Sequence, residues 1–184
     1  MTAAAPPLVN FGWPAPDFRL TDTKGKLWTR STLRGPKGLL IMFICNHCPY
    51  VLAVIDKLAR QGREIYDLGF GVAAICSNDA VAYPQDSYAR MGEFARAHHL
   101  PFPYLHDPDQ SVARAYDAAC TPDFFGFNAD LKLQYRGRLD DSGREAKPAA
   151  RRELYEAMKL IADTGNGPRE QTPSIGCSIK WKVA

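Results

Sequence analysis

Two of the five cysteines stand three residues apart, in Cys45-Asn46-His47-Cys48-Pro49, and this spacing is the clearest chemical signal in the chain. Two sulfurs so spaced lie on one turn. A mixed disulfide formed at the first is then within reach of the second, so the pair can cycle between dithiol and disulfide. The reactive species is the thiolate, which a helix N-terminus favours through unsatisfied N–H groups and about half a unit of positive charge. The spacing accordingly predicts an exposed, reactive Cys45 at a strand end and a Cys48 shielded in the first helical turn. The same sulfurs are also half of a zinc site, which normally draws a further close Cys or His pair. Cys76, Cys120 and Cys177 are isolated and His98-His99 lacks ligand spacing. A metal-binding or metal-delivery module using Cys45 and Cys48, with His47, stays open beside the redox reading.

Such chemistry needs a strand to deliver Cys45 and a helix to begin at Cys48. Gly38 to Cys45 (GLLIMFIC) is a continuous apolar run, the signature of a strand buried on both faces. From Pro49 to Leu68 the residues Val51, Leu52, Ile55, Leu58 and Ile65 recur at helical spacing, predicting an amphipathic helix ended by Gly69. Phe70 to Cys76 reads as a second buried strand, followed by a helix from about Asp86, its N-cap, with Met91 and Phe94 facing inward. After a short segment from Pro103 to His106, Asp107-Pro108-Asp109-Gln110 supplies an N-cap, a proline at the first helical position and a capping-box Gln. Asp123 to Asn128 and Leu131 to Arg136 alternate in period two across a turn, an antiparallel hairpin. Asp17 to Thr21 and Lys26 to Thr29 form another hairpin near the N-terminus, and Ala149 to Ala162 carries Leu154, Met158 and Ile161 on one helical face. Residues 1 to 16, with four prolines, read as an extended arm, residues 137 to 148 as a polar loop, and the tail from Asp163 as lacking a clear element.

These elements predict an α/β fold, a three-layer sandwich with a mixed central sheet, helices on both faces and an N-terminal hairpin. One domain is expected over residues 1 to 184, with its core at about 12 to 162. The 23 basic and 20 acidic residues give a net charge of +3 and are interspersed, which argues against a nucleic-acid partner. The longest apolar run, Leu39 to Cys45, is seven residues, whereas a membrane-spanning helix needs about 20. Met1 to Asn10 has neither a basic nor an apolar signal region, so the expected location is cytoplasmic, with thiols at rest in the reduced form. An odd count of five cysteines excludes a full set of internal bridges.

Cys-x-x-Cys at a strand–helix junction, Thr121-Pro122 opening a hairpin strand, and Pro14-Ala15-Pro16-Asp17-Phe18 together resemble the thioredoxin superfamily. Within it they are similar to the peroxiredoxin-like alkyl hydroperoxide reductase/thiol-specific antioxidant group, over about residues 12 to 162. The Cys-Asn-His-Cys-Pro-Tyr motif, with Gly-Cys-Ser-Ile-Lys-Trp-Lys at 176 to 182, resembles one thioredoxin-like subgroup. The resemblance implies Cys45 as nucleophile, Cys48 as resolving cysteine and Pro122 as a cis-proline facing the disulfide. Thr121 would present its backbone to a bound thiol partner. His47 stands where strongly oxidising relatives carry histidine, and a nearby histidine lowers a thiol pKa and makes the disulfide more oxidising. Leu39 stands six residues before Cys45, where thioredoxins carry a buried Asp, so the usual proton acceptor for the second thiol is missing or replaced.

The implied activity is thiol–disulfide exchange on protein or small-molecule disulfides, without an organic cofactor. The alternative is a thiol-dependent peroxidase, whose Pro-x-x-x-Thr/Ser-x-x-Cys motif shields the thiolate and hydrogen-bonds the peroxide. Gly38 and Met42 occupy those two positions, and neither can do the job. Arg136 reads either as the polarising guanidinium of such a site or as a surface strand residue. Cys76 reads as a small core residue and Cys120 as a neighbour of the active sulfurs or a packed bystander. Cys177 lies in a tail able to resolve or cap the site, or is a thiol with no part in it.

Overall fold

The computed structural model describes residues 2–6, 10–145 and 147–183. Period-two alternation along one strand organises the molecule. Leu39, Ile41 and Phe43 enter one buried cluster while Leu40, Met42 and Ile44 enter another, so the strand is covered on both faces, as its unbroken apolar run predicts.

In chain order the elements are β1 (Ala3–Ala4), β2 (Arg19–Asp22), β3 (Leu27–Thr29), α1 (Arg30–Leu33), β4 (Gly38–Phe43), α2 (Pro49–Leu52), α3 (Ile55–Asp67) and β5 (Phe70–Cys76). A 3₁₀ turn (Pro84–Asp86) leads to α4 (Tyr88–Ala97), β6 (Tyr104–His106), α5 (Ser111–Ala115), β7 (Cys120–Thr121), β8 (Asp123–Phe127), β9 (Leu133–Tyr135), α6 (Glu153–Thr164) and β10 (Gly176–Ser178). Seven strands form a mixed sheet in the order β3-β2-β6-β5-β4-β8-β9. β4 pairs in parallel with β5 and β5 with β6, whereas β8 runs antiparallel to β4, with Ile41 opposite Phe125. Helices α2, α3, α4 and α6 cover the Leu40 face through Val51, Leu58, Met91 and Met158. Helices α1 and α5 cover the Leu39 face through Leu33 and Val112. The predicted sandwich, its mixed sheet and its N-terminal hairpin are all present. No helix among the described residues is long and apolar enough to cross a membrane.

Several boundaries differ from the sequence expectation. The helix expected from Pro49 is interrupted at Val54 (φ −124°, ψ 2°), within a run holding three β-branched residues, Val51, Val54 and Ile55, which favour helix less. Asp86 does not cap α4; Ser87 does, accepting from the Arg90 N–H at 3.4 Å. The residue preceding α5 is Gln110 in the left-handed region, and its side chain leaves the helix to donate to the Ser77 and Lys180 carbonyls. The buried carboxylate of Asp107 accepts from the N–H groups of Val112 and Ala113 instead.

The tail is the largest departure. It contributes β10, which lies between β1 and β7 in a separate three-stranded sheet, with Cys177 opposite both Ala3 and Thr121. The expected arm is thus a short paired strand at Ala3–Ala4, while Pro7 in that arm lies outside the described residues. Gly176 permits the close approach to β7, since a Cβ there would stand 2.0 Å from the Thr121 carbonyl oxygen. Beyond β10 the chain is held by Asp79 N–H donating to the Lys180 carbonyl, Lys180 N–H to Asn78 Oδ1, and Lys182 N–H to Gln110 Oε1. Trp181 finishes the segment beneath Arg114, whose guanidinium carbon is 4.6 Å from the indole centroid.

Candidate active site

Strand β4 hands the chain to a tight loop. Ile44 N–H still bonds the Ile75 carbonyl at 3.0 Å, after which Cys45, Asn46 and His47 turn away and Cys48 takes the N-cap position of α2, with Pro49 at its start. Facing the loop, Thr121-Pro122 is a cis peptide, as the resemblance implies. Cys45 Sγ lies 3.5 Å from the Thr121 hydroxyl, and the Cys48 thiol donates to the Thr121 carbonyl at 3.2 Å. Both sulfurs are buried, Cys45 at 1% exposure and Cys48 at 0%. The expectation of an exposed Cys45 is therefore corrected. Strand β10 places Cys177 opposite Thr121, in the same buried cluster as both sulfurs.

The loop is anchored by a residue that sequence reading assigned elsewhere. Asp86, fully buried, accepts the Asn46 N–H at Oδ1 (2.8 Å) and the Asn78 side-chain amide at Oδ2 (2.8 Å), and His47 Nδ1 lies 2.7 Å from the same Oδ2. The His47 ring stacks on Tyr83 with 5.8 Å between centroids. Asn46 is further fixed by the Tyr104 hydroxyl and the Gln85 carbonyl. A polar loop before an amphipathic helix looks like a cap in sequence, so Asp86 carried no signal distinguishing it from Ser87.

The two sulfurs of the dithiol are shifted in opposite directions. Cys48 is lowered to about 4, because the Cys45 thiol donates to it and, against the cost of burial, the thiol and N–H of Cys177 and the Thr121 hydroxyl add to its stabilisation. Cys45 is pushed up by the same shared bond, by burial and by the nearby Asp86 carboxylate.

Residues 11–136 match the sequence model of the AhpC/TSA family. The chain belongs to this family. It is 29% identical over 132 residues to the thiol-disulfide oxidoreductase ResA of Bacillus subtilis (strain 168), covering 68% of this chain and 65% of that relative. An uncharacterized conserved protein from Geobacillus kaustophilus is 43% identical, with a TM-score of 0.94 over 100% of this chain and 98% of its own. A secreted Mycobacterium tuberculosis disulfide oxidoreductase, 20% identical with a TM-score of 0.53 over 64% of this chain and 80% of its own, shares the fold. The sandwich of this AhpC/TSA member is thioredoxin-like.

The remaining candidates sort by position around the sulfurs. In this AhpC/TSA chain Gly38 has φ +132°, a conformation closed to the proline of a peroxidase motif, and Met42 is buried in the core. Arg136 is neither a surface residue nor turned to the sulfurs. It is 6% exposed, donates to the Asp117 carbonyl (2.6 Å) and to Asp123 Oδ2 (3.1 Å), and lies 4.4 Å over the Phe125 ring. Leu39 belongs to the cluster on the opposite sheet face from Cys45 and Cys48, so a carboxylate there would not face the second thiol. Cys76 is a core residue, its thiol pushed up to about 12 by burial and by Asp86. Cys120 packs beside the site, its thiol 3.5 Å from the Pro122 carbonyl, and burial and Asp123 push it up to about 12. The donor atoms of Cys45, His47 and Asp86 all lie within 4.8 Å of one another, a grouping that omits Cys48.

Proposed function

We propose that this chain is a thiol–disulfide oxidoreductase that cycles Cys45 and Cys48 between dithiol and disulfide on protein or small-molecule disulfides. The observation that carries the reading is the convergence of both sulfurs on one residue, Cys45 at 3.5 Å from the Thr121 hydroxyl and Cys48 at 3.2 Å from its carbonyl. The similarity to ResA supports the same activity.

In this mechanism the proton held by Cys45 passes to the Cys48 thiolate as a substrate disulfide approaches. The Cys45 thiolate then bonds one substrate sulfur and expels the other, which takes the proton from Cys48. Cys48 attacks Cys45 Sγ, breaking the mixed disulfide, and the second substrate sulfur leaves as a thiolate that water protonates. Two electrons reach the substrate and the chain ends as the Cys45–Cys48 disulfide; the reverse sequence oxidises a dithiol. His47, when protonated, offsets the Asp86 charge that disfavours a thiolate at Cys45. A partner strand using the Thr121 backbone takes the place of β10.

Trapping tests this. Cys48→Ser should accumulate a mixed disulfide with a peptide disulfide substrate through Cys45, and Cys45→Ser should accumulate none. Trapping only in Cys45→Ser would reverse the roles, and steady peroxide consumption with a thiol reductant would favour a peroxidase. A second reading, metal binding, rests on the Cys45, His47 and Asp86 grouping, and metal bound by the purified protein and lost in Asp86→Asn would support it.

A further inference from the structure

Strand β10 is built around a sulfur. Cys177 is 3% exposed, lies in register opposite Thr121, and shares one buried cluster with Cys45 and Cys48. The Thr121 carbonyl that accepts from Cys48 is the group against which Gly176 packs, so the residue before Cys177 and the Cys48 sulfur meet at a single oxygen. The Cys177 thiol and N–H both act on the Cys48 sulfur and favour its charged form. Cys48 therefore lies between two thiols, Cys45 on its own loop and Cys177 on the returning tail.

We propose that Cys177 is a third redox thiol, which attacks Cys48 Sγ of the Cys45–Cys48 disulfide, forming a Cys48–Cys177 disulfide and releasing Cys45 as a thiolate. This inference rests on the redox reading of Cys45 and Cys48 above. One S–S bond breaks and one forms, Cys177 gives up the proton that Cys45 takes, and no external oxidant or reductant is consumed. The order of events follows from charge. In the reduced chain the Cys177 thiol is raised to about 11 by burial, by its bond to Cys48 and by the Cys48 charge. Once Cys48 is in a disulfide, its charge is gone and the Lys180 ammonium, which favours the Cys177 thiolate, acts unopposed by it. Oxidation of the pair thus removes both Cys48 influences that raise the third sulfur and leaves burial to oppose Lys180. The product fastens β10 across the Thr121 backbone and leaves Cys45 reduced.

The test is peptide mapping of the full chain, equilibrated with glutathione buffers, acid-quenched, alkylated and cut with trypsin without reduction. Cys45 and Cys48 share the peptide of residues 38–57, whereas Cys177 lies in residues 170–180, so the two disulfides differ in mass. The expected result is a cross-link of these peptides, with Cys45 alkylated, in at least about one-tenth of the oxidised chains, equivalent to couples within about 30 mV. Gly176→Val, which drives a side chain into the Thr121 carbonyl, should reduce the cross-link at least tenfold while Cys45–Cys48 still forms. Oxidised chains holding only Cys45–Cys48 would overturn the third thiol and leave the proposed function standing. Chains forming neither disulfide would overturn both.

Discussion

His47 Nδ1 lies 2.7 Å from Oδ2 of Asp86, a fully buried carboxylate whose other oxygen holds the Asn46 N–H between Cys45 and Cys48. Asp86 is one of the groups raising Cys45, and His47 is its ion-pair partner. His47→Pro leaves the Asp86 charge uncompensated, raises Cys45 further and should make the potential more negative, by about 30 mV for each tenfold change in the exchange constant. A glutathione titration measures it, and an unchanged potential would make the histidine a bystander.

Asp86→Asn should move the potential the other way, since Asp86 is one of the groups raising Cys45. It should also cost about 1–3 kcal/mol of stability, because buried bonds to Asn46 and Asn78 are weakened. Urea denaturation of the reduced protein reads the second effect separately from the first.

Thiolate absorbance near 240 nm should show one ionised sulfur per chain through the neutral range. It forms as pH rises through about 4, the value for Cys48, while Cys177 waits until about 11 and Cys76 and Cys120 until about 12. Cys48→Ser should remove the step. Since the folded value lies below the ordinary thiol value, the associated stability is present above that ordinary value and is lost as pH falls through about 4.

Leu39→Asp should destabilise the fold by about 3–5 kcal/mol, the range for an uncompensated buried charge, without accelerating resolution. The side chain faces the cluster opposite the cysteines. Faster release of substrate from the mixed disulfide in this variant would place the residue nearer to Cys48 than the sheet geometry does.

The strands were legible because their burial is written in period and composition. GLLIMFIC and FGVAAIC are short unbroken apolar runs bounded by glycine and polar residues, as buried strands are, and the first ends in Cys45. The cis-proline followed from family resemblance, as nothing in the Thr121-Pro122 dipeptide itself favours it. Asp86 was not legible as a partner of the site, and Cys177 was legible only as one of two readings of the tail. Each depends on pairing between segments far apart in sequence, Asp86 lying 39 residues and Cys177 129 residues beyond His47 and Cys48 respectively, and such contacts leave no local pattern. Asp86 resembles a helix cap, and a three-residue strand preceded by Pro173, Ser174 and Ile175 has too few residues to show alternation.

The stacking of Arg114 on Trp181 gives the tail an optical signature. Trp181 is four residues from Cys177 and its indole is already 37% exposed, with the guanidinium covering one face. Lifting β10 away from Thr121 would strip that cover and hydrate the ring. Emission from this tryptophan should then shift to longer wavelength when a partner strand displaces the tail, and should stay fixed when the tail is tethered. Fluorescence from Trp181, isolated by replacing Trp13 and Trp28 with Phe, would thus follow the opening of the site in real time without an attached dye.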